Sequence, residues 1–234
     1  MRETNSGKKA RKINSHKNGE VPKFDYAFNK VKPITIAQNR YTEAIRNNSI
    51  VFGIGSAGTG KTFLAVNYAS ELLWNKSIDK IIITRPNVEV GKSLGYLPGE
   101  LEEKYAPYLE PFNECFNKFL GKGFYDYCIR TKTIEPIPIG FMRGRSFENT
   151  IILADEMQNA TPQDMLMFLS RIGKNSKIII SGDPLQCDIP KSGLLDAASR
   201  LRNIKGIEVV EFSHEDIVRS TLCKQIILAY NNLY

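Results

Sequence analysis

Short apolar runs alternating with helix-length stretches predict an α/β fold: three layers, with a mostly parallel sheet flanked by helices. The runs fall at residues 50–54, 80–84, 150–154, 177–181 and 207–212, and most are dense enough in Ile, Val and Leu to be buried on both faces. The last alternates apolar with acidic residues, which suits a strand nearer an edge. A second observation concerns how the first run ends. Gly55-Ser56-Ala57-Gly58-Thr59-Gly60-Lys61-Thr62 joins it to a helical pattern whose apolar residues, Phe63, Leu64, Val66, Tyr68, Leu72 and Leu73, fall mainly on one face.

Along the chain, residues 1–23 form a basic tail with seven Lys or Arg against Glu3 and Glu20, which accounts for five of the seven net positive charges. Rich in Ser, Asn and Gly and nearly devoid of apolar residues, it is predicted to be disordered, as a nucleic-acid arm or a solvated extension. The folded part is expected over residues 24–234. It opens with a short helical stretch after Ile34-Thr35-Ile36, and residues 91–127, rich in aromatics and prolines, are expected to form a helical insertion. Core packing is the expected place for Tyr96, Tyr105, Tyr108, Phe112, Phe116 and Phe119, with base stacking or a subunit contact as alternatives. Thr161-Pro162-Gln163-Asp164 supplies an N-cap, a proline at the first helical position and an acid at the third. Ser213-His214-Glu215-Asp216 predicts a last helix with Ile217, Val218, Leu222, Ile226 and Ile227 as its buried stripe.

The apolar runs are far shorter than the roughly 20 residues that span a bilayer, and no apolar signal core opens the chain, so a soluble, cytoplasmic protein is expected. The four cysteines show no C-x-x-C spacing and stand apart from both histidines. Reduced, packed thiols are therefore expected rather than zinc.

Three motifs carry chemistry. In the first, glycines let backbone amides of Gly55, Ser56, Ala57, Gly58, Thr59 and Gly60 curl round phosphate oxygens. Lys61 is expected to reach the β and γ phosphates and Thr62 to offer a hydroxyl to magnesium, with Phe63, next in the first helical turn, also expected at the nucleotide. A nucleoside triphosphate with Mg2+ is the expected ligand. In the second, Asp155 and Glu156 end an apolar strand, where Asp155 can hold magnesium and Glu156 can polarise an attacking water. In the third, Ser181-Gly182-Asp183-Pro184-Leu185-Gln186 lies at a strand's carboxyl end, where Ser181 or Gln186 can sense the γ phosphate. Gly-Asp-Pro is also an ordinary turn sequence.

In this order the three motifs resemble the PhoH family of P-loop ATPases and, more distantly, superfamily 1 helicases, over residues 34–230. The resemblance also rests on Thr84-Arg85-Pro86, Gly95-Tyr96-Leu97-Pro98-Gly99, Phe141-Met142-Arg143-Gly144-Arg145, Asp155-Glu156-Met157-Gln158-Asn159, Phe168-Leu169-Ser170-Arg171-Ile172-Gly173 and Ser192-Gly193-Leu194. It implies a RecA-like sheet, Glu156 as catalytic base beside magnesium-binding Asp155, and Gln38 as an adenine-reading glutamine. Where relatives commonly have Asp-Glu-Ala-Gln, this chain has Met157 at the third place.

The function expected is ATP hydrolysis coupled to RNA or single-stranded DNA, with Thr84-Arg85-Pro86, Arg143 and Arg145 as backbone contacts. A small-molecule kinase and a nucleotide-gated switch are the alternatives. A helicase's second domain, with its arginine, does not fit in 234 residues. An arginine from a neighbouring subunit of a homo-oligomer, a hexameric ring for example, is therefore expected; Arg143, Arg145, Arg171 and Arg219 are candidates, with Arg171 and Arg219 preferred.

Overall fold

A computed structural model describes residues 28–86 and 101–230, apart from the side chains of residues 101–108. The basic tail, residues 91–100 of the expected insertion and the motif at residues 95–99 lie outside the described residues.

Six parallel strands form one sheet in the order β3-β2-β4-β5-β1-β6: β1 Ile50–Gly55, β2 Lys80–Thr84, β3 Ile134–Pro136, β4 Thr150–Ala154, β5 Lys177–Gly182 and β6 Ile207–Phe212. Five coincide with the apolar runs, to within a residue at their ends. The sixth, β3, was not expected. At three residues, with Glu135 in the middle and Pro136 at the end, it has too little apolar pattern to be seen, and proline is tolerated there because β3 is an edge. The acidic alternation of β6 has the same explanation, since β6 is the other edge.

The side-chain alternation of a strand decides the layers. Val51, Ile81, Ile83, Ile151, Leu153 and Ile179 point into one core, which they share with α1 (Ile36–Asn47), α2 (Lys61–Trp74), α3 (Leu101–Leu120) and α4 (Lys122–Arg130). Phe52, Ile82, Ile152, Ile178 and Ile180 point into the other, with α5 (Pro162–Leu169) and α6 (Leu194–Leu201). Phe112, Phe116 and Phe119 of α3 are fully buried, so these rings are core residues, while the side chains of Tyr96, Tyr105 and Tyr108 lie outside the described residues. Helix α5 starts with the full capping box that Thr161 and Asp164 predict.

The chain after β6 departs from expectation. Ser213 does cap, but what it caps is a 3-10 turn, His214–Asp216, after which Ile217 is extended and α7 begins afresh at Thr221–Tyr230. Of the predicted buried stripe only Ile217 is fully buried; Leu222 is 67% and Ile226 50% exposed. The apolar spacing was there, but among the described residues nothing buries that face of α7.

Candidate nucleotide site

The loops that follow β1, β2, β4, β5 and β6 meet at the carboxyl end of the sheet, beside β1, where the strand order reverses and α/β folds hold their ligands. The loop after β1 turns sharply at Gly55, whose φ of +138° and whose distance from Phe212 leave no room for a side chain: a Cβ would lie 2.0 Å from the Phe212 carbonyl oxygen. Lys61 begins α2 and folds back into the loop. Its ammonium donates to the carbonyls of Gly55 at 2.6 Å and Ser56 at 2.8 Å, and to the Thr59 hydroxyl at 3.2 Å. Burial pushes this ammonium below its ordinary pKa, and Asp183, Asp155 and Glu156 draw it back up. A cation enclosed by a ring of backbone, at a helix N-terminus, is the donor set that phosphate oxygens fit.

Three segments clasp the loop from outside. Gln38 donates from Nε2 to the Thr59 carbonyl at 3.0 Å and accepts at Oε1 from the Ile34 amide, so its amide ties α1 to the loop. Asp183 accepts from the Ala57 amide at 2.9 Å and from Gln186 Nε2 at 3.1 Å. Val218 donates its amide to the Gly58 carbonyl at 3.0 Å.

The carboxylate pair stands opposite. Thr62 donates its hydroxyl to Asp155 at 3.3 Å, so the first and second motifs touch. A hydroxyl and a carboxylate side by side suit magnesium, which takes oxygen donors and completes its shell with water and phosphate. Among the described residues, no group of three or more His, Cys, Asp or Glu side chains is placed to hold a metal ion. The other Asp155 oxygen pairs with Arg85 at 2.8 Å, both side chains being nearly buried. Arg85, expected as a nucleic-acid backbone contact, is thus bound within this site. Glu156 takes the left-handed conformation, with φ +55°, as the strand breaks into a 3-10 turn at Met157–Asn159.

Gln158 is the residue the sequence reading missed as an actor. Its Nε2 donates to Glu156 at 2.7 Å and to the Gln186 carbonyl at 3.2 Å, while its Oε1 accepts from the Asp183 amide at 3.1 Å. A fully buried amide thus links the second motif to the third, and the third to the phosphate loop through Asp183. The signal was its place two residues past Glu156. Ser181 is buried in β5, and Gln186 turns its side chain to Asp183.

Two expected residues lie elsewhere. Phe63 packs on Phe119, with ring centroids 4.9 Å apart, facing α3 rather than the phosphate loop. Arg171 donates to the carbonyls of Met167 and Arg145, closing the end of α5 on the side of the sheet where strands begin. Arg219, by contrast, lies on its own chain's phosphate loop: a Cβ on Gly58 would sit 2.8 Å from Arg219 Nε. On the α6 side, a cavity of about 740 Å³ borders the loop between Ser56, Asp183, Leu195 and Phe212.

A phosphate loop after β1, touching a strand-end carboxylate pair across a parallel sheet, defines a P-loop nucleotide-binding protein of the α/β class. Within that class the chain belongs to the PhoH family, whose model, described as PhoH-like protein, matches residues 30–231. It is 42% identical over 200 residues to Protein PhoH of Escherichia coli strain K12, covering 83% of this chain and 56% of that protein. It is 46% identical over 200 residues to the PhoH-like protein of Bacillus subtilis strain 168, covering 84% of this chain and 63% of the relative. A PhoH-like protein of Mycobacterium tuberculosis strain H37Rv is 42% identical over 203 residues, covering 86% and 58%. The chain thus spans about three-fifths of the length of these relatives. No helix among the described residues is long and apolar enough to cross a membrane.

Proposed function

We propose that the protein hydrolyses ATP to ADP and phosphate with Mg2+, and that this turnover is coupled to RNA or single-stranded DNA. The observation that carries the first half is the junction of Thr62 with Asp155, next to a Glu156 carboxylate held by Gln158. Phosphate cradle, metal ligands and a base for water then stand within one cluster, and water is the acceptor such a base serves. Gln38 supports ATP by its place at the loop, where its amide retains a donor hydrogen and an acceptor lone pair for a base.

The nucleic-acid half rests on charge and position. The chain carries +7, and the sensor loop after β5 has one wall toward the phosphate loop and another toward the open cavity, where a strand could press on it. Self-association belongs to the same proposal, because α7 exposes Leu222 and Ile226 on a helix without a buried residue. Light scattering that gives a monomer at working concentration would remove that part.

The test of the whole is released phosphate from wild type and Glu156→Gln, with Mg2+, with and without single-stranded RNA or DNA. Glutamate-dependent turnover that rises with nucleic acid is the expected result. Turnover indifferent to either strand leaves an uncoupled ATPase. Phosphate appearing only on an added acceptor makes the protein a kinase, and tight binding with no turnover makes it a switch.

A further inference from the structure

Resting on the ATPase reading, we infer that Arg219 is a catalytic cation that serves the nucleotide of its own chain. The segment carrying it is fixed before it arrives. Ser213 Oγ accepts from the Glu215 amide and Asp216 accepts from the Ser213 amide, closing the 3-10 turn, and Ile217 is buried to 6% exposure. Val218 then donates its amide to the Gly58 carbonyl at 3.0 Å, which pins the next residue against the phosphate loop. The Arg219 side chain lies across Gly58, where a Cβ would meet Nε at 2.8 Å and Cδ at 2.9 Å. Gly58 has φ +80° and is the fourth of the eight loop residues, within the stretch whose amides cradle the phosphates.

The neighbouring arginines have other work. Arg85 is bound to Asp155, Arg200 to Asp196, Arg202 to Glu211, and Arg171 to the carbonyls of Met167 and Arg145 at the far end of the sheet. Arg219 is exposed, its described polar contact is the Cys223 sulfur at 3.9 Å, and no carboxylate among the described residues lies within ion-pair distance of it. A guanidinium resting on a phosphate loop without a carboxylate keeps its donors for an anionic ligand.

In the reaction, a lone pair of a water oxygen forms a bond to the γ phosphorus. The bond from that phosphorus to the β–γ bridging oxygen breaks, and its electron pair stays on ADP. One water proton passes to Glu156, and the other remains on inorganic phosphate. Arg219 gives up no proton; its N–H groups bond to the oxygens on which charge accumulates as that bond lengthens. The arginine that the short chain was expected to borrow from a neighbour is thus present beside its own loop.

The experiment compares wild type, Arg219→Ala and Arg219→Lys in kcat and KM for ATP, in affinity for ADP, and in affinity for ADP with aluminium fluoride and Mg2+ as a mimic of the transferring phosphoryl group. Expected is a fall in kcat of roughly 100- to 1,000-fold in Arg219→Ala. ADP affinity should stay within about threefold, tightening by aluminium fluoride should be lost, and Arg219→Lys should recover part of the rate. Melting curves that overlay wild type would show that the loss is not unfolding. Mixing Arg219→Ala with Lys61→Ala subunits separates cis from trans: no recovered activity is expected, since each chain then lacks one part of its own site. Recovered activity in the mixture overturns the inference in favour of a neighbour's arginine. An unchanged kcat in Arg219→Ala, with wild type active, overturns the role of Arg219 alone. A wild type that releases no phosphate under any condition overturns the ATPase reading and this inference with it.

Discussion

At the amino end of the sheet, Lys177 donates to the carbonyls of Ile45 and Asn48 at the close of α1, Ser176 bridges the Thr150 amide and the Phe147 carbonyl, and Arg171 finishes α5. At the carboxyl end, Asp155 bonds to Thr62 and Arg85, Gln158 joins Glu156 to the Asp183 amide, and Asp183 accepts from Gln186, with Lys61 in the field of all three carboxylates. Both ends bury polar groups, but the first satisfies them with main-chain amides and carbonyls and the second mainly with bonds from one side chain to another. At the amino end, this pairing with main chain serves the fold. Groups paired with each other hold charge in place, and a change in one is felt by the rest.

The comparison breaks most visibly at Lys61. Replacing it by alanine removes the one cation inside the loop, and ATP affinity should fall by at least about tenfold, the loss expected for a charged hydrogen bond. Circular dichroism should show an unchanged fold. Calorimetric titration with ATP that gives wild-type affinity would mean the loop does not bind phosphate.

Gln158→Leu tests whether the carboxyl-end network acts as a unit. The change leaves the Asp183 amide and the Gln186 carbonyl without this partner and frees Glu156 to rotate. Stability should drop by about 1–3 kcal/mol. If positioning is its role, kcat should fall roughly 10- to 100-fold with KM changing little. A loss in urea midpoint with kcat unaltered would demote Gln158 to a structural residue like those at the other end.

How much of this was legible follows from the same distinction. Five strands, α5 and its cap, and the residues of the loop and carboxylate pair were readable, because each depends on a local pattern of spacing or residue type. The pairing of Arg85 with Asp155 was not readable, since it depends on β2 lying beside β4, a fact of strand order. The bridging by Gln158 depends in the same way on β4 lying beside β5. Helix α7 shows the opposite error: its apolar period was real, but a period does not say whether a surface waits to receive it. Arg219 was singled out by charge alone, and only the docking of Val218 on Gly58 places it in its own chain's site.

At the amino end, Lys177→Met should cost stability, about 1–3 kcal/mol from the lost carbonyl bonds, with ATP affinity untouched. Burial pushes the Lys177 ammonium down to about 8, and neutral carbonyls offer no countercharge against it. Its folded pKa lies below the unfolded value of about 10.4, so between these pH values the unfolded chain binds more protons and stability rises with pH. The penalty is full below pH 8. Urea midpoints at pH 7.5 and 9.5 should therefore show wild type gaining on Lys177→Met at the higher pH, and a gap that narrows or stays constant would put the ammonium's pKa near its ordinary value.

The smallest effect is on thiol reactivity, and it sharpens the contrast between the working end and the packed flank. Cys128 is fully buried in α4 and burial pushes its thiol up to about 12; Cys115 in α3 is pushed to about 11, with Glu114 adding to the rise and Lys118 opposing it. At pH 8 only about one Cys128 thiol in ten thousand would be thiolate, the form that alkylates. Cys187 and Cys223 are partly exposed and flank the carboxyl end, Cys187 just after the turn that follows β5 and Cys223 beside Arg219. Mass spectrometry after brief iodoacetamide treatment should find Cys187 and Cys223 labelled well before the other two. Added ATP should change the rate at Cys223, because drawing the Arg219 guanidinium toward a phosphate takes it off that sulfur, while Cys128 is unaffected. Labelling of Cys128 as fast as Cys223 would mean the flank opens readily, and the rigid frame that the carboxyl-end network requires would then be lost.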